Sequence, residues 1–423
     1  MKLNKKRTVC VGFAFFLICA FWQVYDSIVP LLLTNKYGMS QTMSGFIMAL
    51  DNIFAVFMLP LFGALSDKTR TKYGRRTPYI FFGTIAGAVC LGLLGVMPSA
   101  WSFIAVLLLT LISMATFRSP AVALMPDVTV KPLRSQGNAV INLMGTAGGI
   151  LALGLSILFK TSEAGKTDFT AYLVSAGILM LAALAVFLIT VREPAWAKDA
   201  ELLEAALPKE EEETPARNDR RLSGGERASL IFLLLSVALW YIGYNAVTSK
   251  YSVYATEVLK VPYNITLMIA QGAAIVAFIP VGMIASRVGR KKTILAGVAL
   301  LTISFALAAF VKEGPPAGLM YLLFSLAGIG WATINVNSFP MVVELATGSD
   351  VGRYTGYYYT ASMAAQIVTP VFSGFLVDRV GWGIFFPYAA TFAALAFVTM
   401  CFVRHGDSRP TPKSGLESLD MDD

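Results

Sequence analysis

Four ionisable residues lie inside otherwise apolar stretches of the sequence: Asp26, Asp51, Arg118 and Lys250. A charge at the centre of a membrane-spanning helix costs about 2.5–3.5 kcal/mol on insertion scales, so such residues usually face a polar interior and serve ion or substrate pathways. A carboxylate removed from water takes up a proton more readily. Asp26 or Asp51 could therefore carry a proton. If both stay ionised near Asn52, their oxygens could instead hold a sodium ion, but no well-formed cage of oxygen ligands is evident.

The amino-acid composition indicates which kind of secondary structure holds these residues in place. Of the 423 residues, 56% are hydrophobic and 14% are charged, with a mean hydropathy of +0.65. Soluble domains carry about 25% charged residues, and one spanning helix needs about 20 apolar residues. We therefore expect an all-α integral membrane protein with 12 transmembrane helices. The predicted spans are residues 8–33, 42–64, 78–97, 101–126, 137–159, 169–191, 228–254, 263–285, 293–311, 316–343, 354–377 and 382–403.

The scarcity of reactive side chains argues against an enzyme. The four cysteines lie in apolar runs without metal-ligand spacing. The single histidine, His405, follows the last apolar run. We find no nucleophile–base set and expect neither a metal nor a cofactor. No Gly-x4-Gly-Lys-Ser/Thr loop occurs, so ATP is not expected to drive the protein.

The basic residues predict the orientation. With the N-terminus inside, 26 of the 34 Lys and Arg residues fall in inner segments, six in outer segments and two within spans. This asymmetry places both termini in the cytoplasm of a cell-membrane protein. It also accounts for the net charge of +8, so nucleic acid is not expected as a partner. We expect a monomer in the lipid bilayer.

One long polar segment separates six spans from six. We expect an N-terminal six-helix bundle over residues 1–192, a cytoplasmic linker over 193–226, a C-terminal bundle over 227–404 and a cytoplasmic tail over 405–423. Within the linker, residues 197–206 could form a short surface helix, and the remainder has the composition of a flexible linker.

A repeated motif relates the two halves. Gly63 begins a loop that ends in Gly-Arg-Arg, and Gly282 begins one that ends in Gly-Arg-Lys. The offset from Gly63 to Gly282 also relates Gly137 to Gly356, which indicates parallel copies. Glycine lets helices approach closely, and the basic residues hold the loop at the lipid surface. We expect a conformational gate formed by Gly63, Asp67, Arg70, Gly74, Arg75, Arg76, Arg134, Gly282, Arg287, Gly289, Arg290, Glu344 and Arg353.

This loop pair on a six-plus-six chain resembles the major facilitator superfamily, whose halves rock about a site near the midplane. The longer first loop and the segment Pro120–Asp127 resemble the sugar–cation symporter branch, which includes the glycoside–pentoside–hexuronide family and the sucrose–proton symporters. In the sucrose symporters a similar segment ends in an acidic residue implicated in proton coupling, and the resemblance places that role on Asp127. Their pattern has an arginine where this sequence has Val122, and Arg118, one turn earlier, could replace it.

Depth along the spans separates the charged candidates. At about 1.5 Å per residue, Asp26, Asp51 and Lys250 are expected in the outer half of the membrane. Arg118 and Asp127 are expected in the inner half, so a direct ion pair between Asp26 and Arg118 is not expected. The predicted cation-coupling residues are Asp26, Asp51, Asn52 and Asp127.

Sugars need hydrogen-bonding groups and a flat apolar face, which aromatic residues beside polar ones supply. We expect the N-terminal half to carry the coupling ion and the C-terminal half to contribute mainly neutral sugar contacts. Aromatic residues also occur at Trp331 and at Tyr357, Tyr358 and Tyr359. The predicted substrate-binding residues are Trp22, Gln23, Tyr25, Arg118, Trp240, Tyr241, Tyr244, Asn245, Lys250, Asn335, Asn337 and Gln366.

Together these features predict a secondary active transporter that imports a sugar or glycoside with a cation, with H+ preferred over Na+. One alternative is a drug or metabolite exporter of the same fold, but exporters favour apolar, adaptable pockets, and the in-span Asn, Gln and Asp residues argue against one. Another is a sugar sensor without transport, which would need a signalling domain or a long partner-binding tail.

Overall fold

A computed structural model shows a helical protein, with no strand among the residues that it describes. Parts of the predicted linker (207–221) and tail (408–423) lie outside those residues. The described residues are 3–206, 222–311, 317–345 and 351–407.

In the first half, the described residues form six long helices and one short helix. Asn4 caps the first helix, where its side chain accepts a hydrogen bond from the Arg7 backbone N–H at 3.2 Å. A short helix occupies part of the predicted linker and includes the expected segment 197–206. The helices are α1 (Lys5–Leu31, extended by a π-helical turn over Leu32–Lys36), α2 (Gln41–Lys68), α3 (Thr77–Val96), α4 (Ala100–Asp127), α5 (Arg134–Leu158), α6 (Thr170–Thr190) and α7 (Glu193–Ala206).

The second half repeats the pattern of long helices. A reciprocal cap of Ser223 and Glu226 begins its first helix, each side chain accepting a backbone N–H of the other. The helices are α8 (Gly224–Val253, extended by a π-helical turn over Tyr254–Leu259), α9 (Tyr263–Val288), α10 (Arg290–Ala308), α11 (Ala317–Val343), α12 (Val351–Val380) and α13 (Phe385–Cys401).

Among the described residues, 11 helices are long and apolar enough to cross a membrane, or 12 if the bent α9 counts as one span. The two parts of α9 meet at 48° between Phe278 and Pro280. Proline explains the bend, because it lacks an N–H and its ring clashes with the carbonyl one turn back. The predicted fold class, an all-α multi-pass membrane protein, is confirmed.

Contacts divide the described residues into two compact units. One draws on Met1–Met39 and Leu50–Pro208, and the other on Ser40–Ala49 and Lys209–Asp423. The start of α2 therefore belongs to the second unit and its remainder to the first. A Cβ added to Gly374 of α12 would lie 2.2 Å from the Gln41 carbonyl oxygen of α2, which shows how closely these two helices cross inside the second unit.

Small residues allow close helix packing within each unit. In the first unit α1 packs mainly against α5 and α6, and a Cβ added to Gly148 of α5 would lie 2.4 Å from the Phe16 carbonyl oxygen. In the second unit α11 packs against α9 and α10, and a Cβ added to Gly328 would lie 2.2 Å from the Ala270 carbonyl oxygen. Without a hydrophobic driving force in lipid, such close van der Waals contact stabilises helix pairs.

Candidate functional site

The first unit brings together charged residues from three spans. The Arg118 guanidinium carbon of α4 lies 5.3 Å from the centroid of the Trp22 ring on α1. Coulombic interaction links Arg118 with both Asp26 and Asp51. As expected, no ion pair joins Arg118 to Asp26 among the described residues, although their charges lie close enough to interact. Side chains lean toward the N-terminus of their helix, and on the predicted topology this tilts Arg118 outward and Trp22 inward.

The two carboxylates of this cluster have different surroundings. Asp51 Oδ1 accepts hydrogen bonds from the Asn52 backbone N–H at 2.5 Å and from Asn52 Nδ2 at 2.7 Å. Asp26 is half-buried, and its carboxylate has no hydrogen-bond donor or ion-pair partner within 4 Å among the described residues. One cluster thus contains a hydrogen-bonded aspartate and an aspartate held only by longer-range charge.

Two buried polar atoms of α1 also have no hydrogen-bond partner in the described part of the chain: Trp22 Nε1 and the Tyr25 hydroxyl. The nearby Gln23 differs, since its Nε2 donates to Ser27 Oγ at 3.0 Å. A buried donor left unpaired costs about 1–3 kcal/mol, and such groups normally have a partner. A polar ligand or water in this cluster would satisfy both atoms.

Asp127 contacts the loop between α2 and α3 with both of its carboxylate oxygens. Arg75 reaches Oδ1 at 2.5 Å, and Arg76 Nε reaches Oδ2 at 2.7 Å. Arg76 also pairs with Asp67 and donates to Ser66. Burial disfavours the charged form of Arg76, but hydrogen bonds and attraction from Asp127 and Asp67 outweigh that effect and raise the pKa of Arg76.

Sequence reasoning missed Glu193, which organises the same loop. Its carboxylate accepts hydrogen bonds from the backbone N–H groups of Arg75 at 2.7 Å, Arg76 at 2.9 Å and Thr77 at 2.8 Å. It therefore caps α3, where unpaired N–H groups and the helix dipole favour an anion. Gly74 has φ of +114°, and a Cβ there would lie 2.2 Å from the Glu193 carboxyl carbon. The available signal was an acidic residue directly after the sixth span.

The second unit contains a matching arrangement. Arg290 pairs with Glu344, as Arg75 pairs with Asp127. Asp407 Oδ1 accepts the Lys291 backbone N–H at 2.9 Å. Gly289 has φ of +95°, and a Cβ there would lie 2.8 Å from Asp407 Oδ1. Asp407 is the second missed residue, and it occupies the role that Glu193 has in the first unit.

The other predicted gate residues are distributed around these networks. A Cβ added to Gly63 would lie 2.9 Å from Ser119 Oγ, and Arg70 Nη1 donates to the Asp67 carbonyl at 3.1 Å. Arg134 Nε donates to the Thr129 carbonyl at 3.1 Å. In the second unit Gly282 is half-buried, Arg287 is exposed, and Arg353 Nε donates to the Tyr357 hydroxyl at 2.6 Å.

The second unit also contains a flat aromatic group formed by Tyr241, Tyr244 and Trp331. The Tyr244 and Trp331 rings stack with centroids 3.7 Å apart and planes 3° apart, and Tyr241 meets Trp331 edge-on at 5.3 Å. Asn245 Nδ2 donates to the Tyr241 carbonyl at 2.8 Å. Trp331, absent from the predicted binding set, is the centre of this group.

The remaining predicted binding residues of α8, α11 and α12 lie elsewhere in the second unit. Trp240 is fully buried, and its Nε1 has no partner in the described ranges. Asn337 is buried and donates from Nδ2 to the Thr333 carbonyl at 2.9 Å, whereas Asn335 is half-buried. Gln366 Nε2 donates to the Ser362 carbonyl at 3.4 Å.

Lys250 is 1% exposed, and its Nζ donates to the Gln41 carbonyl oxygen at 3.0 Å. Asp378 of α12 accepts the backbone N–H groups of Gln41 at 2.9 Å and Thr42 at 2.7 Å. Lys250 and Asp378 thus hold the first turn of α2.

Within the described ranges, no three His, Cys, Asp or Glu side chains gather as metal ligands.

Solved structures share this fold. The inward-open xylose transporter XylE from E. coli superimposes with a TM-score of 0.68 and 15% sequence identity, covering 98% of this chain and 99% of that one. At this identity the likeness establishes the fold alone.

Relatives in sequence match only part of the chain. The chloramphenicol resistance protein CraA of Acinetobacter baumannii is 27% identical over 153 residues, which are 36% of this chain and 35% of CraA. An uncharacterized symporter of Synechocystis, sll1374, is 27% identical over 139 residues, 30% of this chain and 26% of that protein. The aligned region thus spans about a third or less of each relative.

The family comparison covers nearly the whole chain. The model of the Major Facilitator Superfamily matches residues 11–287 and 263–419. Proteins of this superfamily carry small molecules across a lipid bilayer and are transporters rather than enzymes. With its helical fold, and with 11–12 apolar spans among the residues that the structure describes, the chain belongs to the Major Facilitator Superfamily.

Proposed function

We propose that this transporter imports a sugar or glycoside together with a cation, with H+ preferred over Na+, by alternating access. The observation that carries the proposal is the cluster of Asp26, Asp51 and Arg118 beside polar atoms of Trp22 and Tyr25 that have no partner in the described part of the chain. It combines groups that can bind a cation with groups that can bind hydroxyls.

The polar atoms of this cluster suit a polyhydroxylated substrate. Sugar hydroxyls accept and donate hydrogen bonds, so they would satisfy Trp22 Nε1 and the Tyr25 hydroxyl, which lack partners in the described residues. In the second unit, the stacked rings of Tyr244 and Trp331 offer a flat apolar face of the kind that packs against a sugar ring.

The charges support coupling to a cation. Two carboxylates and one guanidinium leave the cluster with one excess negative charge when all three groups are ionised. Removing an uncompensated charge from water costs several kcal/mol, so uptake of one cation favours a closed, dry site. The ion pairs of Arg75 with Asp127 and of Arg290 with Glu344 then serve as the conformational gate on the inner side. We propose that the transporter is a monomer in the cell membrane, with both termini in the cytoplasm.

Similarity to two relatives supports two candidate functions, which differ in the direction of transport and in the substrate. Similarity to the Synechocystis symporter favours coupled uptake, whereas similarity to CraA favours a second candidate, export of a drug or metabolite. We favour uptake because a site with two carboxylates, an arginine and unpaired polar atoms fits a hydrophilic solute better than an apolar one.

The test is uptake of labelled sucrose, maltose and melibiose into proteoliposomes under an imposed pH gradient, with Na+ varied independently. Accumulation that a protonophore abolishes would support proton symport, and accumulation that follows the Na+ gradient would support Na+ symport. Absence of uptake by folded protein, together with gradient-driven chloramphenicol transport, would contradict the proposal and support export.

A further inference from the structure

We infer that Asp26 is the carboxylate that takes up and releases the coupling cation, one per cycle, whereas Asp51 stays ionised as the counter-charge of Arg118. The inference deepens the proposed symport and rests on it. It assigns different roles to two aspartates that the sequence presents as equivalent.

The first observation is the hydrogen bonding of Asp51. The Asn52 backbone N–H and Nδ2 both donate to Asp51 Oδ1, at 2.5 and 2.7 Å. Donors of this kind stabilise the ionised carboxylate, and hydrogen bonds to an ionised acceptor are about twice as strong as neutral ones. A cation bound at Asp51 would neutralise a carboxylate whose ionised form these two donors on Oδ1 already stabilise.

The second observation is that Asp26 has no such support. Among the described residues none donates a hydrogen bond to its carboxylate, although the side chain is half-buried. The charges that act on it are those of Asp51 and Arg118. Within the described part of the chain, Asp26 is therefore the carboxylate of this cluster that has no donor on either oxygen, whereas Asp51 has two donors on Oδ1.

The helices packed against α1 supply the rest of the electrostatic surroundings. These are α4, α5 and α6. On α4 the facing charge is Arg118, while Asp127 pairs with the loop between α2 and α3. The only charged residue of α5 is Arg134 at its first position, and α6 has none.

Among the other titratable side chains of these helices, Lys5, Lys6, Arg7 and Cys10 lie in the first two turns of α1. Tyr172 of α6 donates its hydroxyl to the Ala152 carbonyl at 3.0 Å. Cys19 of α1 lies against Gly145, since a Cβ added to that glycine would be 2.8 Å from the Cys19 sulfur. Tyr25 lies next to Asp26 and interacts with both aspartates.

The net charge of the cluster determines how many cations it binds in each cycle. With Asp26 and Asp51 ionised and Arg118 protonated, the cluster carries one negative charge. A single monovalent cation on Asp26 makes it neutral, and a second would make it positive. For a proton, the carboxylate forms one O–H bond with a proton from water on the outer side and releases that proton to water on the inner side.

The experiment is infrared difference spectroscopy of the full-length protein in proteoliposomes, titrated from acidic to alkaline pH without any sugar. The C=O stretch of a protonated, half-buried carboxyl group should appear in the wild type and in Glu163→Gln, a control at an exposed outer residue. It should be lost in Asp26→Asn and retained in Asp51→Asn. Retention in Asp26→Asn, or loss in Asp51→Asn alone, would overturn the assignment.

A Na+ titration at constant pH distinguishes the two ions. If Na+ binds Asp26, it should diminish the protonated C=O band and shift the carboxylate stretch in the wild type, and Asp26→Asn should abolish both changes. A wild type that shows neither a protonated band nor a Na+ response would overturn the inference.

The folding of Asp51→Asn needs its own control, because that variant leaves Arg118 without a counter-charge. If Asp51→Asn aggregates for that reason, the double variant Asp51→Asn/Arg118→Gln should elute as a monodisperse species and should retain the protonated C=O band of Asp26, and loss of the band in the folded double variant would overturn the assignment. Failure of the proposed symport would appear separately, as absence of sugar accumulation by a wild type whose Asp26 band titrates.

Discussion

The carboxylate of Glu193 accepts the backbone N–H of Arg76 at 2.9 Å, across 117 positions of the sequence. The first residue of α7 thereby holds the first residues of α3, and Arg76 in turn contacts Asp127 at the end of α4. Three segments that the sequence separates thus share one network, and it depends on an acidic residue that no motif singled out.

Replacing Glu193 should therefore destabilise the protein. In Glu193→Gln the side chain keeps one acceptor oxygen but loses its charge, and hydrogen bonds to charged groups contribute about 1.5–3 kcal/mol each. We expect a loss of about 1–3 kcal/mol and a lower unfolding temperature of the purified protein. Glu163→Gln, at an exposed residue, is the control, and equal unfolding temperatures for the two variants would contradict the capping role.

Gly74 should tolerate no side chain. Gly74→Ala combines a positive φ of +114° with a Cβ placed 2.2 Å from the Glu193 carboxyl carbon. Gly165→Ala is the matched control, because Gly165 also has a positive φ, +71°, but nothing lies within 4 Å of its added Cβ. Backbone strain alone costs about 1–3 kcal/mol, so Gly74→Ala should lower the unfolding temperature further than Gly165→Ala does. Similar losses would show that the contact with Glu193 is unimportant.

Arg118 should contribute more to substrate binding than its positive charge alone would. Its guanidinium lies over Trp22, and its planar fork can donate two parallel hydrogen bonds, which lysine cannot. We expect Arg118→Lys to fold but to bind substrate at least tenfold more weakly, measured as the half-saturation of counterflow in proteoliposomes. Lys160→Gln, on an exposed residue, should match the wild type. An Arg118→Lys variant with unchanged half-saturation would reduce the role of Arg118 to simple charge balance.

The aromatic group of the second unit should contribute to substrate affinity. Trp331→Leu removes the ring that stacks on Tyr244, and aromatic contacts contribute about 0.5–1.5 kcal/mol beyond the area that they bury. Binding should weaken by roughly two- to tenfold in the same counterflow assay. Trp101→Leu, at a tryptophan that is 82% exposed, is the control, and parity between the two variants would show that Trp331 does not contribute to substrate affinity.

Asp378 should determine how firmly the start of α2 is held. It accepts the backbone N–H groups of Gln41 and Thr42, so Asp378→Asn should loosen this turn. A cysteine introduced as Thr42→Cys should then react faster with a maleimide than it does with Asp378 present. The exposed Asp168→Asn serves as the control background, and equal rates in the three backgrounds would show that Asp378 does not restrain α2.

Much of the architecture could be predicted from the sequence, since the bilayer imposes it locally. Spans must be apolar over about 20 residues and must satisfy their own backbone groups, so hydropathy alone predicted the helices. The repeat was visible in Gly63 and Gly282, because close helix approach needs glycine at fixed positions. Asp26, Asp51 and Arg118 could also be recognised as candidate functional residues, because charged side chains are rare within membrane-spanning segments.

Only the tertiary structure decided which residues form ion pairs and hydrogen bonds with each other. Depth counted along separate helices kept Arg118 apart from Asp26, but helix direction and side-chain tilt bring their charges into range. Glu193 and Asp407 lacked any periodic signal, since a cap is defined by the helix it meets in space. The different roles that we propose for Asp26 and Asp51 likewise depend on which donors reach each carboxylate. Composition and period are properties of a chain segment, whereas a hydrogen bond or an ion pair exists only once distant segments have packed.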